Sequence, residues 1–254
     1  MKKAEVYTEN NNWEYIGLDD YEPLIRGLER SGWPRLRCKR CKELVVAVGF
    51  FSTGVNKKFR HKKRKESEGK PKFCTLRSAY NSLKYFGEGN PVSQEKINQR
   101  KKDFYNEKNI KNTYFLCWNI LGGKGMLSQS KFISLIDLAN DADIWSYQNL
   151  PIWGIGLILL LMDEHPTPNG NSTYFYKLNK NNDDVIIDAC WSSNGEKIDP
   201  AQFQYTKFKL SIPFTEEYVS QMINSVDTAW VTPTTFTRLL TYAEEKTPQD
   251  EVNP

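Results

Sequence analysis

The chain has 254 residues, 39% hydrophobic, 13% aromatic and 26% charged, enough apolar surface to bury a core and to exclude a disordered polymer. A mean hydropathy of −0.63, and a longest apolar run (Trp153 to Met162) about half of what a bilayer span requires, exclude a membrane-spanning helix. The formal net charge of +4 is unevenly spread: Trp33 to Lys72 holds fourteen Lys and Arg against three acids, a net +11, and the rest of the chain carries −7, so this one segment is suited to a polyanionic partner.

Residues 1–12 read as frayed and polar. The two lysines at the start have no apolar core behind them, so no signal peptide is expected and the expected location is cytoplasmic. Trp13 to Leu28 fits a short strand and a helix, and Ser31-Gly32-Trp33-Pro34 is a turn signal. Leu44 to Phe51 is rich in β-branched and aromatic residues and reads as a strand. Ser52 to Asn56 is a turn, Lys57 to His61 the returning strand of a hairpin, and Arg64 to Lys72 an exposed loop. Leu76, Ala79, Tyr80 and Leu83 share a helical face, with Gly87 as a stop. Ser93 is placed to cap a helix running to Asn109. Thr113 to Leu121 reads as a strand broken by Gly122-Gly123-Lys124-Gly125, and Ser130 to Asn140 has helical spacing. Ile155–Met162, Thr173–Leu178 and Asp184–Trp191 read as three strands of a meander, with Phe203–Ile212 a fourth. Thr215 to Val226 is a helix. The chain after Thr247 is expected to be disordered.

The expected fold is therefore α+β: a small basic β-hairpin module, then a larger domain with a mostly antiparallel sheet and several helices. The expected divisions are residues 1–32, an N-terminal segment packing on the core; 33–76, the basic module; 77–246, the α+β core; and 247–254, the tail.

Five cysteines is an odd number, and in a reducing compartment paired thiols point to a metal or to chemistry before a disulfide framework. Cys38-x2-Cys41 places two sulfurs on one tight turn, a spacing that suits a tetrahedral ion. His61 stands at the far end of the proposed hairpin, and Cys74 follows. Together Cys38, Cys41, His61 and Cys74 have the count and types for a closed, structural Cys3His zinc site, with no open position for hydrolysis. The plain alternative is a chance pair of cysteines, with His61 one residue of a solvated basic run. Cys117 and Cys190 lie in apolar runs and read as small buried hydrophobes. Within the basic segment Arg35, Arg37, Lys39, Arg40, Lys57, Lys58, Arg60, Lys62, Lys63, Arg64 and Lys65 are the candidate phosphate contacts. The plain alternative for them is a solubilising loop.

A cysteine pair, a strand, an aromatic-x-His element and a further cysteine resemble the N-terminal zinc-binding module of the CoiA-like competence-protein families of bacteria and their phages. The resemblance covers roughly residues 33–76. Cys38 and Cys41 match its pair, and His61 matches the second histidine of His-Phe-x-His. Lys58 stands where the first histidine would be. The resemblance implies a following nuclease-like domain of the PD-(D/E)xK type, which needs clustered carboxylates and a lysine. The acid-x-Lys triplets, Glu68-Gly69-Lys70 and Glu244-Glu245-Lys246, follow no apolar strand. Asp183, Asp184 and Asp188 flank a good strand and are the weak catalytic candidates. His165 is a loop histidine with an acidic neighbour. Trp145, Tyr147, Trp153, Trp191 and Trp230 are suited to core packing or an interface more than to stacking on bases.

The sequence points to a zinc-containing, non-catalytic nucleic-acid-binding protein, with double-stranded DNA as the expected partner through residues 35–72. DNA uptake, recombination or defence in a bacterium or phage is the setting the resemblance implies. Two alternatives stay open: a magnesium-dependent nuclease with a degenerate core, and an adaptor subunit docking a protein partner through its aromatic-rich C-terminal domain.

Overall fold

A computed structural model of the chain describes residues 1, 3–53, 57–62, 74–87, 92–181, 184–202, 207–232 and 234–249. The chain opens with β1 (Lys3–Tyr7), β2 (Trp13–Gly17), α1 (Leu18–Ile25), β3 (Leu36–Arg37), β4 (Leu44–Val48) and β5 (Lys58–His61), which form one antiparallel sheet ordered β2-β1-β3-β4-β5. The N-terminal residues, expected to be frayed, are therefore an inner strand. Ala4 and Val6 of β1 are buried, and the backbone of β1 pairs on both sides. Tyr21 of α1 meets Phe50 and Phe59 edge-on, at 5.7 and 5.5 Å between ring centroids, and closes a small core with Ile16, Leu36 and Val45.

The second half is built from α2 (Thr75–Leu83), α3 (Gln94–Tyr105), α4 (Glu107–Ile120), α5 (Gln129–Asp141), α6 (Ile155–Leu160), α7 (Glu216–Asn224) and α8 (Thr237–Lys246). They surround a second antiparallel sheet, β6 (His165–Pro166), β7 (Thr173–Asn181), β8 (Asp184–Trp191) and β9 (Ser211–Pro213), in sequential order. The class is α+β, as expected. Ser93 caps α3 by accepting from Lys96 N at 3.4 Å. α3 stops at Tyr105, short of Asn109, because Asn106 takes over as the cap of α4. Gly87, at φ +88°, ends the turn after α2.

Two expected strands are helices. Thr113–Leu121 lies mostly within α4, where Ile110, Tyr114, Cys117 and Ile120 recur at helical spacing and are buried. Ile155–Met162 contains α6, all six residues of which are buried. A helix covered on every side has no polar stripe, so its sequence resembles that of a core strand. Of Phe203–Ile212, residues 203–206 lie outside the described residues and only Ser211–Pro213 is strand. α8 was not anticipated.

α2 joins the two cores. Leu76 packs in the small one, while Ala79 and Leu83 pack in the large one. Among the described residues no helix is long and apolar enough to cross a membrane.

Candidate metal centre

Three separate elements deliver the four ligands. β3 runs into a tight loop in which Lys42 N donates to Cys38 O at 2.9 Å and Cys38 N to Glu43 O at 2.8 Å. Lys42 adopts φ +61° to close this loop. Arg40 N points at Cys38 Sγ from 3.4 Å, so the backbone supports negative charge on that sulfur. His61 ends β5, paired in register with Val45, a core residue. Cys74 is the residue before the first turn of α2, where the helix dipole favours a thiolate.

The ligand atoms of Cys38, Cys41, His61 and Cys74 all lie within 4.8 Å of one another, so the four are positioned to hold a metal ion. Cys38 Sγ is 3.8 Å from Cys74 Sγ, and Cys41 Sγ is 3.3 Å from His61 Nε2. Cys38 and Cys74 are buried, and Cys41 and His61 half-buried. Hydrogen bonds from Cys41 and Cys74 hold the Cys38 thiol well below its ordinary value. The hydrogen bond with Cys38 pushes Cys74 up. Burial works against a charged His61, but hydrogen bonds to Cys38 and Cys41 outweigh it and raise the imidazole to about 9. The lowered Cys38 thiol favours negative charge at the centre of the tetrad, and binding a cation there is linked to loss of protons from its ligands.

The loop between the paired cysteines is clamped to the helical half. Lys39 Nζ lies 2.8 Å from Asp141, which also takes Lys3 at 3.0 Å. Arg40 lies 2.6 Å from Asp163 and 3.4 Å from Glu164. Arg37 and Lys42 hold Glu5, Lys57 holds Glu22, and Arg77 holds Glu43. Four of the candidate phosphate contacts, Arg37, Lys39, Arg40 and Lys57, are thus ion-paired within the chain. Arg35, Arg60 and Lys62 are exposed and Lys58 is half-buried. Lys63, Arg64 and Lys65 lie outside the described residues, as does the proposed loop Arg64–Lys72.

The catalytic candidates are not brought together. Asp183 is outside the described residues. Asp184 is exposed at the start of β8, while Asp188 is buried and held by Asn179, Ser211 and Lys197. Among the described residues, the Cys3His tetrad is the one cluster of three or more Cys, His, Asp or Glu side chains close enough to share an ion. His165 is a core residue hydrogen-bonded to Leu160 O, with Tyr174 and Tyr176 beside it. Cys117 and Cys190 are buried. Trp145 is fully buried, and Tyr147, Trp153 and Trp191 pack against the large core.

Sequence reasoning missed two features. One is the acids Asp141, Asp163 and Glu164, which receive the loop. The other is the set of rings on the open face of the first sheet, Tyr7, Trp13 and Tyr15. The alternation Trp13-Glu14-Tyr15-Ile16, with Ile16 buried, carried the signal for the latter. Comparison with protein-family models, curated proteins and solved structures found no match for this chain.

Proposed function

We propose that the chain is a zinc-containing nucleic-acid-binding protein, with a structural metal and DNA as its partner. The geometry of the tetrad carries the zinc. A tetrahedral zinc with Zn–S of about 2.3 Å and Zn–N of about 2.0–2.1 Å separates two sulfurs by about 3.8 Å, and a sulfur from a nitrogen by about 3.6 Å. The separations here are 3.8 and 3.3 Å. Three thiolates and an imidazole suit zinc better than magnesium or calcium, which prefer oxygen. With four protein ligands the ion has no place for a reacting water, so its role is to fix the fold.

β5 supports the nucleic-acid half of the reading. His61 belongs to the metal, and its neighbour Arg60 points to the opposite, open side of the strand. A metal that holds β5 in place therefore also holds Lys58 and Arg60 of β5 and Lys62 beside it. Such contacts give affinity that falls steeply with salt and carries little sequence preference. Three thiols free for a metal are best kept in a reducing compartment, which supports a cytoplasmic location for the proposed activity. The bacterial or phage setting rests on the CoiA-like resemblance of residues 33–76.

The test pairs zinc content by elemental mass spectrometry with salt-titrated binding of labelled DNA. About one zinc per chain, and an affinity that falls log-linearly with salt, support the reading. Zinc-free protein, or no DNA binding at low salt, defeats the corresponding half.

A further inference from the structure

We propose that the open face of the first sheet is a stacking platform for unpaired bases, so that the nucleic acid this protein takes is single-stranded. The inference rests on the nucleic-acid reading above and names its substrate class.

The register of the sheet separates two faces. Ala4 pairs with Ile16, Val6 with Leu36, and Leu36 with Val45, and this side is the small core. On the other side Tyr7 pairs with Trp13, Glu5 pairs with both Tyr15 and Arg37, and Arg60 stands opposite Val46. Three aromatic rings and two arginines thus share the face turned away from the small core, with Tyr15 at the end where this face meets Leu138, Met162 and Asp163 of the helical half. Tyr15 is 71% exposed and Tyr7 38%. An exposed tyrosine alone is ordinary, but here Tyr15 stands two residues along the same strand face from Trp13, which is packed against Tyr7. Tyr7 and Trp13 lie 5.1 Å apart between centroids. The guanidinium of Arg37 lies 4.1 Å from the centre of the Trp13 ring, and its Nε is fixed by Glu5 at 2.5 Å. Rings held in place before binding lose little freedom when a base stacks on them.

Charge favours the same occupant. Glu5 is the one acid among the strand residues of this face, is only 5% exposed, and is neutralised by Arg37 and Lys42. Burial pushes its carboxyl up, yet the hydrogen bonds from Lys42 and Arg37 outweigh this and hold it below the usual carboxylate range. Aromatic rings beside a neutralised acid, with the exposed Arg60 on the same face, complement a strand whose bases stack while its phosphates run past Arg60. A duplex keeps its bases stacked within itself and offers such rings nothing.

The test is fluorescence anisotropy of the zinc-loaded protein with three labelled probes at equal salt: an oligothymidylate, an abasic strand of the same length, and a duplex. We expect the oligothymidylate to bind about fivefold to a hundredfold tighter than the abasic strand, the range for one stacked base. Tyr15→Ala removes most of that preference and Tyr15→Phe keeps it, while the salt slope stays unchanged in both. Arg60→Ala lowers the salt slope by about one and leaves the preference for bases intact. Equal binding of the oligothymidylate and the abasic strand, or a preference for the duplex, overturns the platform and leaves the nucleic-acid reading standing. Failure to bind any of the three overturns both.

Discussion

Cys38 Sγ and Cys74 Sγ lie 3.8 Å apart across 36 residues of sequence, one at the end of β3 and the other at the entrance to α2. A metal between them ties the first sheet to the helix whose Leu76 and Leu83 reach both cores. Chelation should therefore loosen a defined region. Hydrogen exchange of the stripped protein is expected to show lost protection in β3, β4, β5 and the first turn of α2, with β7 and β8 still protected. Cys38→Ala, Cys41→Ala, His61→Ala and Cys74→Ala should each give the same pattern and lose metal. Cys117→Ala, buried in α4 away from the tetrad, should keep it. Uniform loss of protection would mean that the metal supports the whole fold and not this junction.

Asp163 is the main acid of the clamp on the cysteine loop. It accepts from Lys131, lies 2.6 Å from Arg40, and is 8% exposed. Burial raises its carboxyl, but the hydrogen bond from Lys131 and the charge of Arg40 bring it below its ordinary value. Asp163→Asn leaves two cations facing a neutral amide and should cost about 1–3 kcal/mol in urea denaturation at pH 7, the half-exposed cations keeping it below the cost of a fully buried pair. Arg40→Ala, whose side chain is 39% exposed, should cost about 0.5–1 kcal/mol. Because the folded carboxyl titrates low, the Asp163→Asn deficit is whole above the ordinary carboxylate range and fades as pH falls through the folded value.

The ligands were legible because their chemistry is local: two cysteines on one turn, a histidine ending a β-branched hairpin, a cysteine among lysines. The β4–β5 hairpin, β7 and β8 were legible as short runs rich in β-branched and aromatic residues bounded by turn residues, and α5 from its helical spacing. α4 and α6 were not, since burial on every side erases the period that separates helix from strand. Cys117 and Ile158 accordingly look like strand residues in sequence. The neutralisation of Lys39 was invisible for another reason: its partner Asp141 is 102 residues away, and no local pattern announces so distant an ion pair. β1 looked frayed because a five-residue strand with three buried residues, one of them the charged Glu5, leaves little pattern to read.

The contact between α4 and α6 depends on Gly156. A Cβ at that position would lie 2.7 Å from Leu116 Cδ2 and 3.1 Å from Thr113 Cγ2, and Cys117 Sγ already donates to Gly156 O at 3.3 Å. Alanine is the better helix former by about 1 kcal/mol, but overpacking a closed contact costs about 1–3 kcal/mol. Gly156→Ala should therefore destabilise the protein in thermal or urea unfolding. Gly156→Ala combined with Leu116→Ala should be less destabilised than the sum of the two single losses, since Leu116 supplies the nearest obstructing atom. A stabilised single variant would mean that α4 and α6 can move apart freely.

His165 gives the fold a pH dependence separate from the metal. Burial lowers its imidazole to about 4, with the carbonyl of Leu160 opposing. The folded value lies below the unfolded one of about 6.5. Stability from the neutral ring is therefore whole above pH 6.5 and is lost as pH falls from 6.5 towards 4, where the unfolded chain binds a proton that the fold refuses. Between pH 7 and pH 5 this amounts to about 2 kcal/mol. His61 also titrates and the metal is released in acid, so the quantity to measure is the difference between the native chain and His165→Gln, both zinc-loaded, in urea unfolding at each pH. The variant is less stable at pH 7, having lost a packed ring beside Tyr174 and Tyr176, but its profile should be flatter by that amount. Parallel profiles would show that His165 is charged in the fold, or reaches water, and that its burial does not govern its proton.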